Sequence, residues 1–263
     1  MANRNVLRVI KIGGNIIDHP DKTAFFLEQF AAIPGAKILV HGGGVLATQL
    51  AEQLNIPQTL IDGRRITDAE TLRIAVMMYA GWVNKSLVAQ LYALHCPAIG
   101  LCGADGDAIR AEKRPVRDID YGLVGDVKKI HVELFDAWLA KGLAPVVAPI
   151  THDGNGQLLN TNADTIAQEI AKSLSKAFKV ELIFGFDKAG VLMQEDGVEK
   201  VISQLNKKRF LALKAEKVIH GGMIPKLENA FSALESGVNK IIIGNAVSIN
   251  EMISGEAGTS IEW

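Results

Sequence analysis

Val6-Leu7-Arg8-Val9-Ile10-Lys11-Ile12-Gly13-Gly14 and Lys37-Ile38-Leu39-Val40-His41-Gly42-Gly43-Gly44 are the two stretches that decide the fold. In each, a short apolar run rich in β-branched residues ends in glycines, just where a helical pattern begins. Glycine lets backbone N–H groups turn toward a ligand, and the positive end of the following helix favours anionic oxygens. Two such loops at one edge of a parallel sheet form a phosphate-sized anion site, to which Lys11 adds a fixed cation. The pattern indicates phosphoryl transfer.

Short apolar strand candidates alternate with amphipathic helix candidates along the rest of the chain. Near-continuous apolar strands separated by helices predict an α/β fold with a parallel sheet covered on both faces. The predicted strands are Val6–Lys11, Lys37–His41, Ala98–Leu101, Ala144–Pro149, Glu181–Phe186 and Lys240–Ile243. The predicted helices are Asp21–Ala32, Val45–Leu54, Asp68–Leu94, Val132–Lys141, Asp164–Leu174, Lys207–Leu213 and Lys226–Ser236.

Three local signals refine this outline. Thr67-Asp68-Ala69-Glu70 has the spacing of a capping box, which predicts the start of the long third helix there. The polar stretch from Asp105 to Lys129 interrupts the strand–helix rhythm and predicts hairpins that project from the sheet edge. A division near residue 178 is the predicted boundary between an N-terminal lobe, residues 1–178, and a C-terminal lobe, residues 179–263.

Composition excludes several classes of protein. The 263 residues carry a net charge of −1, which attracts neither nucleic acid nor an anionic membrane. No stretch approaches the ~20 apolar residues of a spanning helix, and no signal-type apolar core precedes Lys11, so we expect a cytoplasmic protein. Cys96 and Cys102 are predicted to be buried free thiols, and the histidines show no zinc-binding spacing. Neither a GxxxxGK[ST] loop nor GxGxxG spacing is present, which excludes a P-loop kinase and a typical dinucleotide-binding dehydrogenase.

Several polar residues admit both a structural and a functional interpretation. Asn162 can cap a helix, whereas Asn160 can bind a substrate carboxylate and Asp164 can orient a lysine. Either arginine of Arg64-Arg65 can remain on the surface or bind a carboxylate in bidentate fashion. Lys226 follows Gly221-Gly222 at a helix start, where the helix dipole disfavours a cation, and this favours a bound phosphate partner. Phe186–Val191 can be a simple turn or a loop that contacts a nucleotide. Gly103–Asp107 is interpreted as a turn, and a metal site is the disfavoured alternative.

The motifs together resemble the N-acetylglutamate kinases of the amino acid kinase superfamily. The resemblance runs from Lys11 to Gly258-Thr259-Ser260-Ile261. Each motif alone is weak, whereas the set is specific, above all Arg65-Ile66-Thr67 and Asn160-Thr161-Asn162-Ala163-Asp164. The other motifs are Lys11-Ile12-Gly13-Gly14, His41-Gly42-Gly43-Gly44, Asn84-Lys85 and Gly222-Met223-Ile224-Pro225-Lys226.

The resemblance implies a three-layer αβα sandwich around a mainly parallel sheet, and a homodimer. It implies transfer of the γ-phosphoryl group of ATP, with Mg²⁺, to the side-chain carboxylate of N-acetyl-L-glutamate in arginine biosynthesis. The N-terminal lobe would bind the acylglutamate and form the dimer, and the C-terminal lobe would bind ATP. Arginine-inhibited relatives carry an extra N-terminal helix, whereas this chain begins almost at its first strand, so the resemblance implies a dimer without arginine feedback.

Site roles follow from the same resemblance. Lys11 and Lys226 would flank the transferred phosphoryl group, and Asp164 would hold both lysines. Substrate binding would fall to Gly43, Gly44, Arg65 and Asn160. Nucleotide binding would fall to Gly13, Gly14, Phe186, Asp187, Lys188, Gly190, Val191 and Met223. No protein-bound metal is implied.

One stretch departs from the family pattern. Relatives commonly place Ser or Thr before the aspartate of the nucleotide loop, where this chain has Gly185-Phe186-Asp187-Lys188. The departure leaves open a branch with another acyl preference, such as N-succinyl-L-glutamate. A carbamate, aspartate or uridylate kinase is the next alternative, and a non-catalytic nucleotide or metabolite sensor is the third. Arg65 and Asn160 argue against the second, and the joint presence of Lys11, Asp164 and Lys226 argues against the third.

Overall fold

A computed structural model describes residues 6–61, 64–195, 198–216, 218–219 and 223–263. The strands are β1 Val6–Ile12, β2 Ala36–His41, β3 Leu60–Ile61, β4 Arg64–Arg65, β5 Ala98–Leu101, β6 Ile109–Lys113, β7 Gly125–Ile130, β8 Ala144–Val147, β9 Ile150–His152, β10 Leu158–Asn160, β11 Lys179–Phe186, β12 Leu192–Glu195, β13 Val198–Val201, β14 Gln204–Leu205, β15 Lys240–Asn245 and β16 Thr259–Ile261. The α-helices are α1 Gly14–Ile17, α2 Pro20–Ala32, α3 Gly44–Gln53, α4 Ala69–Ala75, α5 Asn84–Ala93, α6 Val132–Ala140, α7 Ala163–Leu174, α8 Lys207–Ala215, α9 Met223–Glu235 and α10 Ile249–Ser254. Short 3₁₀ turns span Asp105–Asp107 and Ala246–Ser248.

Within those described residues, the large sheet has eight strands in the order β14-β16-β15-β11-β1-β2-β8-β5. Its central pairs are parallel, and β16 runs antiparallel to β15. Alternate side chains of β1 enter two separate cores, because successive residues of a strand point to opposite faces. Leu7 and Val9 pack with α6, α7 and α9, whereas Ile10 and Ile12 pack with α2, α5 and α10. The predicted αβα sandwich around a mainly parallel sheet is confirmed.

The long helix predicted over 68–94 is a single helical run with a change of pitch. Between α4 and α5, residues Val76–Val83 form wide π-type turns. The run begins one residue later than a capping box on Thr67 predicts, because the Asp68 side chain accepts the Thr71 N–H at 2.8 Å. Thr67 is instead fully buried, and its hydroxyl donates to the Arg65 carbonyl.

The predicted hairpin region is also confirmed. β6 and β7 pair antiparallel and join β9 and β10 in a smaller sheet of four strands in the described chain. Residues 121–123, which lie between β6 and β7, pair with Thr67, the residue before the N-cap of α4. There, the Thr67 N–H donates to the Tyr121 carbonyl, and the Leu123 N–H donates to the Thr67 carbonyl. Within the same residues we find no helix with the length and apolar character that a bilayer crossing requires.

Candidate active site

The three predicted site loops leave the same edge of the sheet. β1 lies between β2 and β11, so Gly13-Gly14 follows the central strand of the three. The Gly42–Gly44 loop follows β2 on one side, and Phe186–Val191 begins at the end of β11 on the other. Because carboxyl ends of parallel strands share one edge, the order of the strands alone brings these loops together.

The two glycine loops approach each other backbone to backbone. The Gly42 N–H donates to the Ile12 carbonyl at 3.0 Å, and a Cβ atom on Gly42 would stand 3.4 Å from the Gly14 nitrogen. Gly43 has φ of 149°, and a Cβ atom there would stand 3.1 Å from Tyr79 Cδ1. Gly44 begins α3, so its N–H belongs to the first helical turn, which has no intrahelical partner. Glycine is favoured at 43 by its positive φ and by the close Tyr79 ring, and the loop presents backbone rather than side chains.

A buried polar network holds this loop from behind. The His41 ring is fully buried, and its Nδ1 lies 2.8 Å from the Gly42 carbonyl. Asn84 Nδ2 donates to His41 Nε2 at 3.1 Å and to the Val146 carbonyl at 2.9 Å. A neutral imidazole satisfies both contacts, because Nδ1–H can donate to the Gly42 carbonyl while Nε2 accepts from Asn84. A second proton, on Nε2, would face the Asn84 donor and would have no acceptor. Burial accordingly lowers the pKa of His41 to about 4.

Arg65 lies against the same loop. Its Nη2 donates to the Gly44 carbonyl at 2.9 Å and to Thr48 Oγ1 at 2.8 Å, and its Nη1 donates to Gln58 Oε1. The neighbouring Arg64 is exposed, so the arginine that lies against the loop is Arg65, which the resemblance names and the local pattern left open. A guanidinium beside the amides of a helix N-terminus is a suitable place for a carboxylate.

Asn160 has its side chain turned to Thr67. Its Nδ2 donates to Thr67 Oγ1 at 3.1 Å, and its own N–H donates to the Leu123 carbonyl. The 121–123 segment therefore braces both Thr67 and Asn160 on this side of the edge. Asn162 caps α7 by accepting the Thr165 N–H at 3.1 Å, so the structural interpretation of Asn162 is correct and leaves Asn160 and Asp164 free for other roles.

Lys11 and Asp164 form an ion pair at the end of β1. Lys11 Nζ lies 2.7 Å from Asp164 Oδ1, and the Lys11 side chain is only 10% exposed. The same ammonium lies 3.7 Å from the position of a Cβ atom on Gly13. Asp164 stands in the first turn of α7, where the helix dipole also favours its charge. The pair places a fixed cation directly beside the glycine loop.

Lys226 approaches this site from α9 but does not share Asp164. Its side chain is exposed, and Nζ lies 4.0 Å from the centroid of the Phe186 ring. Among the described residues no carboxylate pairs with Lys226, whereas the resemblance implies that Asp164 holds both lysines. Gly221 and Gly222, the glycines predicted to precede this lysine, lie outside the described residues.

The predicted nucleotide residues differ in position: some line a cleft, one is buried and one is exposed outside the cleft. Lys188, Gly190 and Met223 line a cleft of about 240 Å³ together with apolar side chains of β12 and the segment before α9. Val191 is buried, and its N–H donates to Thr259 Oγ1 at 2.8 Å, so it supports the loop from inside. Asp187 is exposed and is not part of the cleft wall. A larger cavity, about 830 Å³, lies at the opposite edge of the sheet around Arg8 and Phe178.

Sequence reasoning assigned no role to four residues that shape the site. Gln58 and Thr48 hold Arg65, Tyr79 packs on Gly43, and Asp18 lies beside Gly14, where a Cβ atom would stand 3.2 Å from Asp18 Oδ2. Burial raises the pKa of Tyr79, and Arg65 opposes this rise. Burial also raises the pKa of Asp18, against the opposing effects of His19 and the Leu46 N–H. No local pattern marks these residues, because each acts on a partner distant in sequence.

The family profile and the similar proteins agree with one another. The sequence profile of the Amino acid kinase family matches residues 7–245. Acetylglutamate kinase from Cytophaga hutchinsonii is 50% identical over 249 residues, which cover 94% of this chain and 94% of that protein. Acetylglutamate kinase from Bacteroides fragilis is 50% identical over 256 residues, which cover 97% of each.

Solved structures extend the likeness at the level of the fold. N-acetylglutamate synthase from Neisseria gonorrhoeae, complexed with coenzyme A and N-acetyl-glutamate, superposes with a TM-score of 0.80 at 20% identity. The match covers 98% of this chain and 59% of that one. Carbamate kinase from Giardia lamblia bound to AMP-PNP superposes with a TM-score of 0.68 at 14% identity and covers 100% and 99% of the two chains. At such identities the likeness is one of fold alone.

Proposed function

The chain belongs to the amino acid kinase family, and we propose that it transfers the γ-phosphoryl group of ATP to the side-chain carboxylate of N-acetyl-L-glutamate, a step of arginine biosynthesis. The observation that carries the proposal is the Lys11–Asp164 ion pair, 2.7 Å long, at the end of the strand between the glycine loop and the nucleotide cleft. Relatives called acetylglutamate kinase, about half identical over nearly their whole length, support the choice of acceptor.

The acceptor in this reaction is already an anion, so no general base is needed. The difficulty is to bring a carboxylate and a triphosphate together, which calls for fixed cations and oriented N–H donors. In the proposal, Lys11 and Lys226 flank the transferred phosphoryl group, and Asp164 positions Lys11. Gly43 and Gly44 contact the acylglutamate with backbone N–H groups, Arg65 binds its α-carboxylate, and Asn160 adds a hydrogen bond.

On the nucleotide side, we assign contacts with ATP to the Gly13-Gly14 loop, to residues 186–188 and 190–191, and to Met223. Residues 1–178 then form the acylglutamate lobe and residues 179–263 the ATP lobe. Both lobes contribute to one sheet, since β1 pairs with β11 over seven residue pairs. The cytoplasmic location stays a prediction from the sequence.

Mg²⁺ is proposed to enter with ATP. The described residues contain no cluster of three or more His, Cys, Asp or Glu side chains that could hold a metal ion. Mg²⁺ in phosphoryl-transfer sites is commonly held by substrate phosphates, waters and one or two carboxylates, and Asp164 is a carboxylate at this edge. When bound, the ion would neutralise charge on the phosphate oxygens.

A homodimer is proposed on the exposed side of the helical run from α4 to α5. Met77, Trp82 and Tyr92 are exposed there, and Trp82 is 69% exposed. Trp263, at the chain terminus, is 68% exposed and provides a matched control. In sedimentation velocity we expect Trp82→Glu to yield a monomer and Trp263→Glu to remain a dimer; a dimeric Trp82→Glu would exclude this face.

The activity is tested by coupled ADP release with MgATP. The acceptor panel is N-acetyl-L-glutamate, N-succinyl-L-glutamate, free glutamate, aspartate, carbamate and UMP. We expect saturable turnover on N-acetyl-L-glutamate and none on free glutamate. Turnover on N-succinyl-L-glutamate alone would show that the acceptor carries a succinyl and not an acetyl group. Turnover on carbamate, aspartate or UMP alone would assign the chain to another activity of its family. No turnover on any acceptor, from protein that binds ATP, would favour a sensor.

A further inference from the structure

Phe186, the last residue of β11, carries two lysine ammonium groups close to its ring. Lys226 Nζ lies 4.0 Å from the ring centroid, and Lys11 Nζ lies 5.3 Å from it. The ring stacks on Phe184, with centroids 6.1 Å apart and planes inclined by 13°. Both distances fall within the ~6 Å over which an aromatic face attracts a cation.

The sheet register explains why one ring can reach both cations. Lys11 is paired with Phe184 on the neighbouring strand, so the two side chains project to the same face. Phe186, two residues further along β11, projects to that face as well. Lys226 then reaches the ring from α9.

The two lysines differ in what holds them. Lys11 is buried and paired with Asp164 at 2.7 Å, whereas Lys226 is exposed and has the ring as its contact. Resting on the function proposed above, we infer that Phe186 is a positioning residue. Its π face holds the Lys226 ammonium beside Lys11 before the nucleotide arrives.

An aromatic face suits this task better than a second carboxylate. A carboxylate at this point would neutralise Lys226 and repel the triphosphate, since like charges at close range oppose binding. The ring attracts the ammonium through its quadrupole and carries no net charge, so the full charge of Lys226 stays available to phosphoryl oxygens.

The first test is a pair of substitutions assayed by ADP release with the full chain. Phe186→Leu keeps an apolar side chain and loses the π face, and Phe186→Tyr keeps the face. We expect Phe186→Leu to lower kcat about 2- to 30-fold, with little change in KM for the acylglutamate. Phe186→Tyr should keep the kcat of the unmodified chain. Phe210→Leu is the control, because Lys214 Nζ lies 6.0 Å from that ring on α8; its kcat should equal that of the unmodified chain.

The second test varies the π face at nearly constant volume. Site-specific incorporation of mono-, di- and trifluorinated phenylalanine at position 186 weakens the face stepwise. We expect the logarithm of kcat to fall with each fluorine. A flat series, or a rise in KM for ATP with kcat unchanged, would overturn the positioning role and leave simple packing against the nucleotide.

The third test does not depend on turnover. In ¹³C-lysine NMR of the ATP-free protein, the Lys226 ε-methylene should be shifted upfield by the ring current and is identified by its loss in Lys226→Arg. The shift should vanish in Phe186→Leu and persist in Phe186→Tyr; an unshifted resonance would overturn the inference. An unmodified chain inactive on every acceptor would refute the proposed kinase, whereas an active chain with an indifferent Phe186→Leu variant would refute only the role of Phe186.

Discussion

The two sides of the sheet edge use similar residues in different surroundings. On the side proposed to bind the acylglutamate, called the acylglutamate side, the Gly42–Gly44 loop lies next to a fully buried His41 that Asn84 holds, and Arg65 donates to the Gly44 carbonyl. On the nucleotide side, Asp187 and Lys188 are exposed, and so is Lys226. One half of the site is therefore fixed by hydrogen bonds within the protein, whereas the other presents exposed charged side chains. Preorganised donors cost no rearrangement during the reaction, so the fixed half suits the smaller substrate.

The largest expected effect compares the two cations. Lys11→Ala and Lys226→Ala should each lose several kcal/mol of transition-state stabilisation, by analogy with the ~3–4 kcal/mol lost with one strong electrostatic donor. Lys11→Ala should cost more, because it also leaves Asp164 without its ion-pair partner. Steady-state kcat measures both losses, with Lys207→Ala, an exposed lysine paired with Glu235, as the control. A near-normal kcat in Lys226→Ala would refute the proposed assignment.

Because His41 is buried on the acylglutamate side, we expect the stability of the fold to decrease in acid. The pKa of His41 is about 4 in the folded protein against 6.5 in the unfolded chain, because burial disfavours the charged ring. Between pH 6.5 and 4 the unfolded state binds the proton and the folded state does not, so stability present above pH 6.5 is lost as the pH falls. The loss amounts to about 3 kcal/mol at 1.36 kcal/mol per unit.

Urea unfolding at pH 7, 5.5 and 4.5 measures this loss. Other groups titrate in the same range, so the quantity to compare is the difference in pH dependence between the unmodified chain and His41→Asn. The exposed His95→Asn variant is the control and should follow the unmodified chain, since asparagine tolerates the positive φ of 56° at this position. An identical pH dependence in His41→Asn would contradict the buried neutral imidazole.

The glycine loop offers a test of backbone fit. Gly43→Ala should destabilise the fold by about 1–3 kcal/mol, the cost of one residue held in a rare backbone region. It should also raise KM for the acylglutamate, since the new methyl group would stand 3.1 Å from the Tyr79 ring. Gly142→Ala is the matched control: its φ is 72°, and nothing lies within 4 Å of the new methyl group. Equal KM values in the two variants would remove Gly43 from the acylglutamate site.

The smallest expected effect concerns helix caps on the two sides. Asp68 caps α4 on the acylglutamate side, and Asn206 caps α8 on the nucleotide side, each by accepting a backbone N–H. Alanine at either position should cost about 1 kcal/mol of unfolding free energy. Thermal unfolding measures both. Similar losses of unfolding free energy in the two variants would show that the two sides differ in tertiary contacts rather than in helix capping. A markedly larger loss on one side would show that the capping of the helices differs as well.

Most elements of the large sheet could be predicted, whereas the small strands could not. Runs such as 37–41 and 181–186 are apolar and bounded by glycine or polar residues, so their pattern identifies them. The pairs β3–β4 and β12–β13 were not predicted, because strands of two to four residues in which no described side chain is buried carry no such pattern. The capping box on Thr67 was displaced by one residue, since burial of Thr67 against Asn160 and the 121–123 segment competes with capping.

The sequence by itself determined the alternation of strands and helices, the glycine loops at strand ends and the cations beside them, because these depend on residues that are neighbours along the chain. Only the tertiary structure decided that Asn84 supports His41 and that, among the described residues, Asp164 pairs with Lys11 alone while Lys226 contacts Phe186. Such contacts join residues tens to more than a hundred positions apart, and they form only when the sheet order and the helix packing bring the side chains together.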